Sequence, residues 1–257
     1  GLMGWMWQSP ADCQPLDSFA TGAGSSGSAF DGDVDLGIGL GFAARQWPEY
    51  LDAATDWLSR MECEINTKYG DGYNYPTAGD DWDKASCTAD KCDYAEKTNS
   101  TVFIDYYPPG YFRVFGDFLA ASLGSDAKAA NGQTHRDFWY KTAETVWELV
   151  ERCYAQPGVH PGLMGNQGRV DQPCSAGGGE PYEWGRALWR LAIDAAWFGN
   201  NVDLPENKPN SSAYGGGKSR IQTKMDFIQS FYTNFYKKNP PEPNANRFST
   251  ICHQLGT

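Results

Sequence analysis

Helical periodicity, interrupted by long loops, sets the strongest limit on what this chain can become. Residues 48–66 open with Pro48 at a first helical position, and Leu51, Ala54, Trp57, Leu58, Met61 and Ile65 then share one face. Residues 137–154 repeat the pattern with Phe138, Val146, Trp147, Val150 and Tyr154. Residues 183–198 do so with Trp184, Leu188, Leu191, Ala195 and Phe198, and residues 218–237 with Ile221, Met225, Ile228, Phe231 and Phe235. Residues 110–123 make a shorter helix, and residues 31–47 an apolar, Gly/Ala-rich helix predicted to be buried. Strand-like alternation is weak throughout. The loops at 8–30, 70–105, 156–181 and 199–217 are rich in Gly, Pro, Asp and Asn. Loops of that length in a compact domain are usually functional or disordered, and here they carry Trp, Tyr and Asp together, which favours function. The rhythm predicts stacked helical hairpins whose loops gather at one end, with no linker dividing residues 1–257. The expected fold is all-α, a single domain.

The 257 residues suffice for a sizeable core, and the net charge of −11 argues against a nucleic-acid partner, which usually demands a basic patch. No apolar run reaches the roughly 18 residues a membrane span needs. Gly1 is not an initiator Met, so the start reads as a processed end or the start of a fragment. Seven cysteines (13, 63, 87, 92, 153, 174 and 252) and three histidines (135, 160 and 253) fall in no zinc spacing. A disulfide-bearing extracellular protein is the better reading, with Cys87 and Cys92 able to close a small loop and one thiol left over. Asn99-Ser100-Thr101 and Asn210-Ser211-Ser212 are glycosylation sequons. Aromatic residues make up 14% of the chain, with ten Trp. Flat amphipathic side chains suit the C–H faces of sugar rings, although core packing accounts for most of them. No metal or cofactor is expected.

Three motifs carry candidate chemistry. In Asp31-Gly32-Asp33-Val34-Asp35, three carboxylates run straight into the apolar helix. Burying such charges is costly unless they meet a ligand, a cation or hydrogen-bond donors. Leu36 and Phe42 at loop positions 6 and 12 argue against an EF-hand, while a cation site of another kind stays open as a minor option. Helix capping by one of the three remains open. In Glu180-Pro181-Tyr182-Glu183-Trp184-Gly185-Arg186, Glu183 and Arg186 stand three apart on one helix face. Arg186 can there hold Glu183 ionised as a general base, or the two form an ordinary ion pair. Trp184, Trp189 and Leu191 argue that the helix is mostly buried. In Asp105-Tyr106-Tyr107-Pro108-Pro109-Gly110, two Tyr and two Pro before a helix form either a rigid aromatic lip or a packed helix entry.

Together these segments resemble glycoside hydrolase family 8, the inverting endo-glucanases, chitosanases and xylanases. The family signature, roughly Ala-Ser/Thr-Asp-Ala/Gly-Asp-x-x-Ile/Met-Ala ending on Phe or Trp, is matched by Ala29, Asp31, Gly32, Asp33, Leu40, Gly41, Ala43 and Trp47. Phe30, Leu36, Gly37 and Gly39 depart from it. The family's Ser-Tyr-Phe-x-Pro-Ala-x-Tyr-Arg-x-Phe stretch is echoed by residues 105–115, with Asp105 in place of Ser. Its Tyr-Asp-Ala-x-Arg-x-Pro-Trp-Arg-Ile stretch is echoed from Tyr182 to Leu191, with Glu183 in place of Asp. Leu2-Met3-Gly4-Trp5 is similar to a Leu-Met-x-Trp segment that supplies a subsite Trp.

The resemblance implies an (α/α)6 barrel, here possible as an incomplete toroid, with a cleft where the loops gather. It implies that Glu183 is the base and that Asp31 binds the sugar at the cleavage point and positions the attacking water. Inversion needs two carboxyls about 6.5–9.5 Å apart. Trp5, Asp33, Trp82, Tyr106, Tyr107 and Arg186 are the implied sugar contacts. The family's general acid, a Glu in a Ser-Glu-Gly-x-Gly-Tyr-Gly-Met segment, has no counterpart here, and the closing helices have none after about residue 240. The chain is therefore expected to be a domain truncated at both ends, completed by a missing N-terminal segment or a second chain. The expectation is a secreted hydrolase of β-1,4-linked polysaccharide, with cellulose or β-glucan as substrate. The alternatives are a non-catalytic carbohydrate-binding or structural relative, and an extracellular helical assembly subunit with no sugar role.

Overall fold

A computed structural model describes residues 29–79, 86–88, 91–93, 101–156, 168–174, 181–199 and 220–238. Within these, the side chains of 86–88, 91–93, 181–184, 220 and 235–236 lie outside the description. The described residues are mostly helical, in α1 (Phe30–Gln46), α2 (Leu51–Met61), α3 (Pro109–Leu123), α4 (His135–Tyr154), α5 (Pro181–Phe198) and α6 (Arg220–Lys238). Backbone proximity groups the chain into two compact units, residues 1–102 with 111–145, and residues 103–110 with 146–257.

In the first unit, α1 buries Phe30, Asp33, Val34, Gly37, Ile38, Gly41 and Ala44. These positions recur every three or four residues, the signature of one packed helix face. The opposite side is open, with Phe42 and Trp47 more than half exposed. The expectation of a wholly buried helix is thus corrected to a one-sided one. Four glycines in α1 each disfavour the helix by up to about 1 kcal/mol, so packing rather than propensity holds it. At Gly37 that packing is close, because Leu58, Met61 and Phe115 come against the position where a side chain would begin. Phe112 stacks on Trp139 at 5.5 Å between ring centres, and Phe115 meets the same indole edge-on at 5.3 Å.

The predicted helix over 48–66 is shorter than expected. A 3-10 turn at Pro48–Tyr50 leads into α2, a second 3-10 turn at Glu62–Glu64 ends it, and Ile65 lies in a strand. That strand, β1 (Ile65–Asn66), pairs antiparallel with β2 (Tyr75–Pro76). Glu62 lies buried beside α4, where its Oε1 is 2.6 Å from His135 Nδ1. Long-range partners override local periodicity here. A hairpin of β3 (Ser86–Thr88) and β4 (Lys91–Asp93) sets Cys87 opposite Cys92, and their side chains lie outside the description. Cys63 is in a disulfide.

In the second unit, the 3-10 turn Ile104–Tyr106 and α6 both pack against α5. The buried positions of α5 include Ala187, Arg190, Leu191 and Asp194, while Trp189 and Trp197 are about half exposed. Trp189 therefore does not belong to the buried face it was assigned to, and two charged residues occupy that face instead. Asp194 Oδ2 accepts the Trp147 indole N–H at 2.7 Å. Gly110 lets the chain pass 3.1 Å from the Asp194 Cα, measured from where a Cβ would stand. A disulfide joins Cys153 at the end of α4 to Cys174, 21 residues on. Among the described residues no helix is long and apolar enough to cross a membrane.

Candidate active site

The start of α1 sorts its three acids by position. Asp35 is exposed and Asp31 half-buried, whereas Asp33 is 1% exposed. The N-cap residue is Ala29, with no side-chain cap. Asp31 acts instead from within the first turn, its Oδ1 accepting the Gly32 N–H at 2.9 Å. That interaction places a negative charge where the helix exposes its unpaired N–H groups. The Trp57 indole N–H donates to the Asp33 main-chain oxygen at 3.1 Å, tying the start of α1 to α2. Of the two acids expected to face a ligand, Asp31 is therefore the accessible one, and Asp33 is enclosed.

In the second unit, residues far apart in sequence meet at the start of α5. Asp105, 1% exposed, receives Arg186 through a single oxygen: Nε donates to Oδ2 at 3.0 Å and Nη2 donates to the same atom. The Arg186 guanidinium also lies over the Tyr106 ring, 4.8 Å from its centre. Tyr106 in turn stacks on Phe103 at 4.8 Å. About a quarter of the Arg186 side chain (26%) stays exposed. Side-on contact through Nε and Nη2 is strong and directional because a charged donor meets a charged acceptor.

The sequence reading paired Arg186 with Glu183 through their spacing. The described partner of Arg186 is Asp105, 81 positions away. Glu183 sits in the first turn of α5, begun by Pro181, and its side chain lies outside the described residues. Trp5 and Trp82 also lie outside the described residues. Tyr107 departs from the expected aromatic lip. It is fully buried, and its hydroxyl accepts the Phe103 N–H at 3.0 Å. Its hydroxyl serves as a backbone acceptor where the chain turns, so the lip narrows to Tyr106. The sequence offered one signal for the role of Asp105, the acid standing where the resemblance has Ser. Among the described residues no three His, Cys, Asp or Glu side chains gather as a metal site.

No protein-family model matches the chain. It is similar to Endoglucanase C of Ruminiclostridium cellulolyticum, 24% identical over 247 residues, a match covering 91% of this chain and 39% of that protein. It is also similar to Endoglucanase 2 of Ruminiclostridium josui, 23% identical over 247 residues, with the same coverage on both sides. The chain spans about two fifths of the length of these curated relatives.

Proposed function

We propose that this chain is the helical body of a secreted hydrolase of β-1,4-linked glucan, of the glycoside hydrolase family 8 type. The observation that carries the reading is its similarity to two endoglucanases across 91% of its length. The order of the Asp31, Asp105–Phe115 and Tyr182–Leu191 segments supports it, as does the Cys153–Cys174 disulfide, a bond that persists in oxidising compartments. In this reading the helices belong to an (α/α)6 toroid of one domain, and the chemistry is inverting. Glu183 takes a proton from water, the water oxygen attacks the anomeric carbon, and the glycosidic oxygen takes a proton from an acid as it leaves. Asp31 positions the water and the sugar at the cleavage point, while Tyr106 and Arg186 grip the chain. The acid is a Glu supplied from outside these 257 residues.

One observation favours a second reading. These residues hold no Ser-Glu-Gly-x-Gly-Tyr-Gly-Met stretch to supply the acid, which fits a carbohydrate-binding relative that does not cleave. Incubation of the full-length protein, with the acid-bearing segment included, with soluble β-1,4-glucan, xylan and chitosan separates the two. Release of reducing ends from glucan, first seen as the α-anomer by NMR, is the expected result. Glu183→Gln should abolish release and keep oligosaccharide binding, and unchanged turnover would remove Glu183 from its role. No release with binding retained supports the second reading. Neither release nor binding overturns both.

A further inference from the structure

We propose that Asp105 is a positioning residue that fixes the Arg186 guanidinium for contact with a neutral, hydroxyl-rich β-linked oligosaccharide. The proposal rests on the glucan-handling reading of the same site and names a residue that reading does not use. Asp105 is enclosed, at 1% exposure, so it does not itself meet a ligand. It acts on Arg186, which remains partly exposed. Both the Nε and Nη2 bonds converge on Oδ2, which fixes the direction of the fork. The Tyr106 ring beneath it fixes the plane, and Phe103 braces that ring from the same turn. An arginine has several rotatable bonds, and ordering one on ligand binding costs about 0.5–1.5 kcal/mol. Here the ordering is already in place before a sugar arrives. The same pair ties the turn Ile104–Tyr106 to the start of α5, three residues past Glu183. A Ser at position 105 has no charge and less reach, and does not hold a guanidinium in this way.

Two measurements on the full chain test this. Nitrogen-15 NMR reads solvent exchange of the Arg186 Nε–H, and calorimetry reads affinity for cellohexaose. In Asp105→Asn, exchange should quicken by about tenfold and affinity fall by about tenfold, as expected for losing a charge-assisted bond, with the circular dichroism spectrum unchanged. Asp105→Ser should behave likewise. Exchange unchanged in Asp105→Asn overturns the proposal, and so does wild-type affinity once exchange has quickened. Wild-type protein that binds no oligosaccharide overturns the glucan reading instead, and the exchange measurement still decides whether Asp105 holds Arg186. If neither variant at 105 folds, Arg186→Lys carries the test. It keeps the charge and loses the fork, and a folded Lys variant with wild-type affinity overturns the proposal.

Discussion

Gly37 and Gly39 stand two positions apart on α1 and answer opposite demands. Gly39 is exposed, and a methyl group added there meets nothing within 4 Å. Gly39→Ala should stabilise the protein by about 0.5–1 kcal/mol, the usual gain from removing a glycine inside a helix. At Gly37 the same methyl lies 3.1 Å from Leu58 Cδ2, 3.2 Å from Met61 Sδ and 3.2 Å from Phe115 Cζ. Three side chains, two on α2 and one on α3, must yield at once, and overpacking of this kind costs about 1–3 kcal/mol. Gly37→Ala should therefore lower the urea midpoint while Gly39→Ala raises it, and equal shifts would refute the packing account. A second residue-scale prediction concerns Trp147, whose indole N–H is one donor to the buried Asp194 carboxylate. Trp147→Phe keeps an aromatic ring at this fully buried position but removes the donor together with the second ring of the indole, so a cavity adds to the lost hydrogen bond. The lost bond alone should cost about 1–3 kcal/mol, visible as a lower melting temperature with an unchanged helical spectrum.

Among the elements, the 3-10 turn Glu62–Glu64 shows most clearly where local pattern stops being informative. Burial pushes the Glu62 carboxyl above its ordinary value of 4.5, and His135 and Trp139 only partly offset this. Between 4.5 and the raised folded value, the native state holds a proton that the unfolded chain has released. Stability from this group is therefore greatest in acid and falls as pH rises through that window. Glu62→Gln removes the charge and mimics the protonated acid. It should melt at or above the wild type at pH 7, with its advantage shrinking towards pH 4 in calorimetry. A variant that melts lower at pH 7 would show that the Glu62 contact with His135 outweighs burial. Among the described residues, α1 was legible only as an apolar, Gly/Ala-rich run, whereas periodicity located α2, α4, α5 and α6 because each has an apolar face of regular spacing. It extended the helix of residues 48–66 too far because Ile65 fits both a helix face and the strand that Pro76 completes. It misjudged α5 because two of its buried positions are Arg190 and Asp194, which no apolar pattern reveals.

For the whole molecule, the contacts that matter most join residues far apart in the chain. Helical content and an oxidised cysteine pair were legible, the first from spacing and the second from cysteine usage without a metal pattern. The partner of Arg186 was not, because spacing within a helix reports only neighbours three or four positions away. The inward turn of Tyr107 was hidden likewise, since adjacent tyrosines look equivalent until one meets a backbone amide. Linking Cys153 to Cys174 removes freedom from the unfolded chain, worth about 3 kcal/mol for a loop of this size. The double change of both cysteines to Ala should cost about that much, read from urea unfolding under non-reducing conditions. The same bond has a consequence for limited proteolysis. A protease that cuts once between positions 153 and 174 leaves two fragments still fastened at the end of α4. Nicked protein should migrate as one species on a denaturing gel and separate into two only when a reductant is added.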